Sequence, residues 1–162
     1  MDPKCIHFGV CGGCKWQNLS YEKQLYFKNE EVVNNIKRIG GIQDFEELPI
    51  LGSEKQYFYR NKMEFSFSDA RWLTLDEVNS GDDIGDRNAL GFHIPGMWSK
   101  ILDLKECHLQ EDPSNQIRLA VRQFADENNL EFFDLKNHGG FLRTLMMRQN
   151  SKGEWMVLFQ LY

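Results

Sequence analysis

The sequence predicts an α+β fold: an antiparallel β-sheet or partly closed barrel with two main helices and an N-terminal cysteine-rich knuckle. Three observations predict it. Residues 59–67 alternate apolar and polar with the period of a strand, residues 20–39 and 112–127 carry apolar side chains at helical spacing, and residues 5–14 hold three cysteines and several glycines in neither pattern. With 162 residues, 41% of them hydrophobic and 13% aromatic, the chain is long enough for one packed core with a small appendage.

Residues 1–19 read as the knuckle and residues 20–162 as the central domain. Ser20 is placed to cap a first helix running to Ile39, in which Tyr21, Leu25, Val32, Ile36 and Ile39 form a stripe interrupted by Lys28 and Asn29. Gly40 and Gly41 end it. The second helix opens with Asp112 as cap and Pro113 in its first turn, shows Ile117, Ala120, Val121, Phe124 and Ala125 on one face, and stops at Asn128-Asn129. Both faces are read as core.

Strands account for most of the remainder. In residues 59–67, Tyr59, Met63, Phe65 and Phe67 share one side and Arg60, Lys62, Glu64 and Ser66 the other, the pattern of a half-buried strand. Residues 90–94, a Pro95-Gly96 turn and residues 100–106 suggest a pair. Residues 141–148 and 155–162 flank a polar turn at 150–153, a hairpin whose second arm is apolar enough to be buried on both faces. The acidic stretch 76–89, with Asp82, Asp83 and Asp86, lacks the regular spacing of a calcium loop and reads as a solvated loop.

Composition excludes some functions. No run of about eighteen apolar residues is present and the opening residues lack the apolar core of a signal peptide, so the chain is read as cytoplasmic with no membrane partner. A formal net charge of -5 counts against a free-standing nucleic-acid binder, so any RNA contact must be local. No glycine-rich cofactor loop follows a strand, and no catalytic residue is assigned.

Cys5, Cys11 and Cys14 are spaced C-x5-C-x2-C, and Cys107 lies far downstream at a predicted strand end. Three clustered thiols plus one distant thiol allow a four-sulfur cage, the common ligand set of a cubane iron–sulfur cluster. Gly12 and Gly13 suit a backbone that wraps closely and points N–H groups at sulfur, with Phe8, Val10 and Trp16 as an apolar shell. Two other readings stand beside it: a zinc site, although only Cys11 and Cys14 form the short pair zinc sites favour, and unligated thiols. A three-cysteine radical-type cluster does not require Cys107, and a redox dithiol lacks its βαβ setting. His7, His93 and His108 are read as satisfied or exposed rather than as ligands or proton carriers.

These residues resemble a known family. Cys5-x5-Cys11-Gly12-Gly13-Cys14-Lys15-Trp16-Gln17, followed by Tyr21-x2-Gln24-x3-Lys28, resembles the opening of the cluster-containing RNA (uracil-C5-)-methyltransferases, the 5-methyluridine methyltransferases of the 23S rRNA type. The run Tyr59-Arg60-Asn61-Lys62-Met63-Glu64-Phe65-Ser66-Phe67, then Leu90-Gly91-Phe92-His93, Pro95-Gly96, Ile101-Leu102-Asp103-Leu104-x2-Cys107 and Gly140-x2-Arg143-x-Leu145-x2-Arg148 are similar to later family segments, in order.

The resemblance implies a [4Fe-4S] cluster on Cys5, Cys11, Cys14 and Cys107, of structural or RNA-facing role. It implies RNA contact by Arg60, Asn61 and Lys62, with the two basic residues donating to phosphates and Asn61 reading a base edge or holding the turn. The alternative for Arg60 and Lys62 is simple pairing with Glu64. Lys15, Trp16 and Gln17 are weaker contact candidates, and Arg143 and Arg148 are either cleft-lining or strand-edge charges. The family places its S-adenosylmethionine site and methyl-transfer chemistry in a C-terminal domain, not seen in these residues, so this segment alone is expected to be inactive and to depend on that domain in cis. Ribosomal RNA is the favoured partner over transfer RNA. The rival class is a zinc-stapled interaction module for protein or nucleic acid, without catalysis.

Overall fold

The computed structural model describes residues 1–162, in which contacts divide the chain into two compact units, Met1–Lys4 with Trp16–Gln56 and Cys5–Lys15 with Tyr57–Tyr162.

The first unit is built on α1 (Tyr21–Arg38). Ser20 caps it by accepting from the Lys23 N–H at 3.4 Å, and Gly41, with φ of +67°, lets the chain turn so that the Ile42 N–H returns to the Ile36 carbonyl. The inward stripe differs from the sequence reading: Val33 is buried, whereas Val32 and Ile39 are exposed. The sheltered side runs Tyr21, Leu25, Asn29, Val33 and Ile36, so Asn29 belongs to it and donates to Glu47 Oε1 at 2.6 Å. The returning segment explains the shift. The Ser53 N–H donates to the Tyr21 hydroxyl, and Gly52 lies against Leu25 and Tyr21, a cover no local periodicity encodes.

The second unit is a five-stranded, wholly antiparallel sheet in the order β3-β2-β1-β4-β5, formed by β1 (Lys62–Ser68), β2 (Ala89–Ile94), β3 (Met97–Asp103), β4 (Leu142–Gln149) and β5 (Trp155–Leu161). The sheet is open, so it is the antiparallel sheet rather than the partly closed barrel that forms. β1 lies at its centre, and its alternation holds: Met63, Phe65 and Phe67 are buried while Lys62 and Glu64 are exposed. Tyr59 is not part of that strand. Phe58 adopts φ of +57°, and the Phe58 and Arg60 N–H groups donate to His108 and Leu109 carbonyls, so residues 58–61 run as an approach arm.

Gly96, with φ of +77°, closes the β2–β3 turn, and pairing of Ile94 with Met97 pulls β3 three residues earlier than expected. Gly91 is required by close approach: a Cβ there would stand 2.0 Å from the Leu102 carbonyl oxygen. The β4–β5 hairpin forms as anticipated, but β5 is an edge strand with an exposed face, not a doubly buried one; Met156, Val157, Leu158 and Phe159 are all exposed. Its apolar composition reflects strand preference and does not predict cover.

The acidic stretch contains a short helix, α2 (Leu75–Ser80), which the sequence reading left as loop. Thr74 and Glu77 form a reciprocal capping box, and Arg71 holds Glu77 through a 2.8 Å ion pair. The last helix, α3 (Ser114–Glu127), packs on β2; Pro113 rather than Asp112 stands at its N-cap position, and the Asp112 carboxylate just before it accepts from the Asn115 N–H at 3.0 Å. Its inward face also differs from expectation. Ser114, Arg118, Arg122 and Ala125 are buried, Ile117 and Val121 are half-buried, and Ala120 and Phe124 are exposed. Both arginines stack on core rings, Arg118 5.2 Å from the Phe65 centroid and Arg122 5.1 Å from that of Phe132. Arg122 is also held by Asp86, Asp103 and Asp126. Two arginines fit among aromatics because these partners satisfy or stack them, which a hydrophobicity pattern cannot show.

Candidate cysteine centre and nucleic-acid interface

Residues 5–15 fold as successive turns without helix or strand. The His7 carbonyl accepts from the Val10 and Cys11 N–H groups, and Gly9, with φ of +88°, allows the reversal that returns the chain to Cys11. Gly12 meets the sheet so closely that a Cβ would stand 2.6 Å from the His93 carbonyl oxygen, while Gly13 rests on the Phe92 ring. The Gly13 N–H points at Cys11 Sγ at 3.3 Å, the donor geometry anticipated for this Gly-Gly pair.

Two hydrogen bonds strap this segment to the residues before Cys107. The Ile6 N–H donates to Glu106 Oε1 at 3.3 Å, and the Lys105 N–H donates to His7 Nε2 at 2.9 Å. His7 therefore spends its acceptor nitrogen on backbone, and burial pushes its pKa down. His108 contacts Glu106 at 3.2 Å and stacks edge-on with Tyr57 and Phe58. His93 is exposed, with Ser66 at 3.5 Å as its side-chain contact.

Cys107 is buried in the core, and Cys11 and Cys14 pack against the same apolar cluster together with Phe92. Phe65 and Phe92 stack with centroids 5.1 Å apart and supply much of the apolar wall, whereas Val10, expected in that role, is exposed. All four thiols feel one another. Burial pushes Cys11 up to about 11, with Cys107, Cys14 and Cys5 each adding to the rise. Burial likewise raises Cys5 and Cys107, and Cys14 adds to both. As free thiols, Cys5, Cys11 and Cys107 stay protonated at neutral pH. Cys107 is buried and the other three cysteines are half-buried, so four thiolates this close together become favourable only with cations among them. By donor chemistry alone, four cysteines suit a soft-metal or iron–sulfur centre. No group of three or more His, Cys, Asp or Glu side chains is arranged to hold a metal ion, so no ion is assigned by geometry alone, in the acidic stretch or elsewhere.

Beside the Cys-rich turns lies a groove of about 560 Å³ lined by Gly13, Tyr59, Arg60, Asn61, Lys62, Met63, Glu64, Phe92 and Leu109. The structure therefore brings Arg60, Asn61 and Lys62 together with the glycine between two cysteines. Only Lys62 lies within β1, so the basic pair does not share a regular strand face. The Asn61 carbonyl accepts from the Gln149 N–H at 2.9 Å, fixing the arm to β4. Lys62 pairs with Glu64 at 2.7 Å but stays half exposed, and it stands opposite Arg148 across the β1–β4 ladder. Arg143 instead stacks on Phe133 at 5.0 Å. Tyr59, at 55% exposure, offers an aromatic face at the groove.

Sequence reasoning missed Asn115 and Arg118. Asn115 Oδ1 accepts from the Cys107 N–H at 2.8 Å while its Nδ2 donates to the Cys107 carbonyl at 3.1 Å, and Arg118 Nη1 donates to that same Oδ1 at 3.0 Å. The available signal was the four-residue spacing of Ser114, Arg118 and Arg122, which marks one helix face.

No family model matches the chain. It is 51% identical over 156 residues to an uncharacterized RNA methyltransferase of Bacteroides thetaiotaomicron, covering 96% of this chain and 34% of that protein. It is 50% identical over 163 residues to one from Porphyromonas gingivalis, covering 96% and 35%, and 40% identical over 159 residues to one from Chlorobaculum tepidum, covering 98% and 33%. Among solved structures it resembles the Pyrococcus abyssi tRNA (uracil-54, C5)-methyltransferase in complex with S-adenosyl-L-homocysteine. That match has a TM-score of 0.63 at 29% identity and covers 93% of this chain and 31% of that one. The chain spans about a third of the length of the curated relatives it matches. Along nearly its whole length the chain is thus similar to about a third of the length of proteins named RNA methyltransferases.

Proposed function

We propose that this chain is the iron–sulfur-bearing, RNA-contacting segment of an S-adenosylmethionine-dependent RNA (uracil-C5-)-methyltransferase. The observation that carries the reading is the meeting of two independent sets of residues: the groove lined by Arg60, Asn61 and Lys62 is also lined by Gly13, which lies between Cys11 and Cys14. In this reading residues 1–19 form the cluster knuckle, residues 20–162 the central domain, and Cys5, Cys11, Cys14 and Cys107 hold a [4Fe-4S] group. Its role there is to fix the Cys-rich turns against the sheet, since methyl transfer requires no electron carrier.

Arg60 and Lys62 donate to phosphates at the groove, and Asn61, whose carbonyl is already committed to Gln149, keeps its side chain for a base edge. No residue of this segment is assigned to methyl transfer, which belongs to the length of the relatives that it does not span. The resemblance in the sequence pointed to ribosomal RNA, whereas the solved neighbour acts on a tRNA uridine. The shared chemistry is a uridine in structured RNA, in an enzyme working in the cytoplasm.

The test is metal and sulfide analysis of anaerobically purified protein together with RNA binding across a salt series. About four iron and four sulfide per chain with broad visible absorption is the expected result. RNA affinity should fall with salt, with a slope reduced by about 0.7 for each of Arg60→Ala and Lys62→Ala on single-stranded RNA. Stoichiometric zinc without sulfide, persisting after iron reconstitution, together with salt-insensitive or absent RNA binding, would replace this reading with the zinc-stapled module.

A further inference from the structure

Arg118 is fully buried, yet its Nε and Nη2 groups have no hydrogen-bond partner. Its side chain lies over Phe65 at 5.2 Å, and its one polar contact is the Asn115 amide oxygen. A guanidinium does not shed its proton in a protein, so it remains a fixed positive charge. Such a charge, dry and without a paired anion, is among the most unfavourable things a core can contain.

The nearby carboxylates are committed elsewhere. Asp103 accepts from the Leu90 N–H and from Arg122, and it pairs with Lys105. Asp112 accepts from the Asn115 N–H at the start of α3. What remains is the thiol set. Asn115, which holds Arg118 Nη1, also grips both backbone polar groups of Cys107, and Phe65 beneath the guanidinium packs in the same cluster as Cys107, Cys11 and Cys14.

We propose that Arg118 is the buried counter-cation of a tetrathiolate centre formed by Cys5, Cys11, Cys14 and Cys107. The inference rests on the reading that these four cysteines bind one metal centre. Four thiolates around an oxidised cubane leave a net double negative charge against an apolar wall. A fixed cation in the same dry region offsets it, and the anion in turn gives the two unpartnered N–H groups a charge to face. Arg118 touches no substrate in this scheme. It is a positioning residue that acts through the charge of the centre.

The experiment compares wild type, Arg118→Gln and Arg118→Lys as full chains, reconstituted anaerobically with iron and sulfide. Gln keeps a polar group for Asn115 but removes the charge, and Lys keeps the charge. The readouts are the half-life of the cluster absorbance against excess iron chelator and the midpoint potential of one-electron reduction. Arg118→Gln is expected to lose its cluster at least tenfold faster than wild type and to be harder to reduce, with a more negative midpoint, because an electron must then enter an uncompensated anion. Arg118→Lys should recover most of both. Where Arg118→Gln does not accumulate folded, Arg118→Met makes the same comparison.

Equal half-lives and midpoints in wild type and the uncharged variant would overturn the proposal, as would equal impairment by Gln and Lys, which signals packing rather than charge. Wild-type protein that binds no cluster after reconstitution, whether or not it takes up zinc, would instead remove the cluster reading itself, and the inference with it.

Discussion

Replacing Asn115 with alanine should destabilise the protein far beyond the loss of an ordinary half-buried polar residue. The side chain accepts from the Cys107 N–H and from Arg118 Nη1, and donates to the Cys107 carbonyl. Cys107 is 9% exposed and Arg118 is fully buried, so water cannot replace these partners. Arg118, already lacking partners at Nε and Nη2, would have none at Nη1 either. Each stranded buried group costs about 1–3 kcal/mol, and a charged one more, so the substitution should cost roughly 3–5 kcal/mol. That is a large share of the ~5–15 kcal/mol by which domains are stable. Urea denaturation under anaerobic conditions, followed by tryptophan fluorescence and far-ultraviolet circular dichroism, measures it through a shifted midpoint at unchanged slope. A loss below about 1 kcal/mol, the ordinary value of one hydrogen bond, would refute the reasoning and show that these groups find other partners.

Gly12→Ala should displace the Cys-rich turns from the sheet, because the added Cβ meets the His93 carbonyl backbone at 2.6 Å; a cost of about 1–3 kcal/mol and faster proteolysis within residues 5–15 are expected, and unchanged protease resistance would contradict it. Glu77 should titrate near pH 2 by NMR, since Arg71 first, and then the Thr74 N–H, hold its carboxylate charged. With its folded pKa depressed, the stabilisation is present above the ordinary carboxylate value of 4.5 and is lost as pH falls toward about 2. Arg71→Ala should return the midpoint toward that ordinary value. Tyr59→Ala should weaken RNA binding by about 1–3 kcal/mol if a base stacks at the groove, while leaving the thermal midpoint unchanged because the ring is 55% exposed. Equal affinity in a filter-binding titration would remove Tyr59 from the interface.

Local signals determined a good deal of this molecule. The alternation of Met63, Phe65 and Phe67 placed the central strand, Ser20 and Asp112 marked the two long helices, and Pro95-Gly96 and the polar turn before Trp155 marked the hairpins. Each rests on interactions within a few residues, which is why they could be read from order alone. The four cysteines and the Arg60-Asn61-Lys62 run stand out by residue type and spacing, while the cluster and RNA roles proposed for them rest on the family resemblance. What covers each element was not. Val33 rather than Val32 faces inward because the segment leading to Ser53 returns onto α1, and β5 stays exposed because it ends the strand order. Arg118 and Arg122 occupy the inner face of α3, where hydrophobicity predicts Phe124, because aromatic rings and carboxylates from distant parts of the chain receive them. The meeting of Gly13 with Tyr59 and Arg60 at one groove likewise depends on the approach arm pairing with residues 108–109. Burial and charge compensation are sums over partners brought in from far along the chain, and only the tertiary fold determines which partners those are.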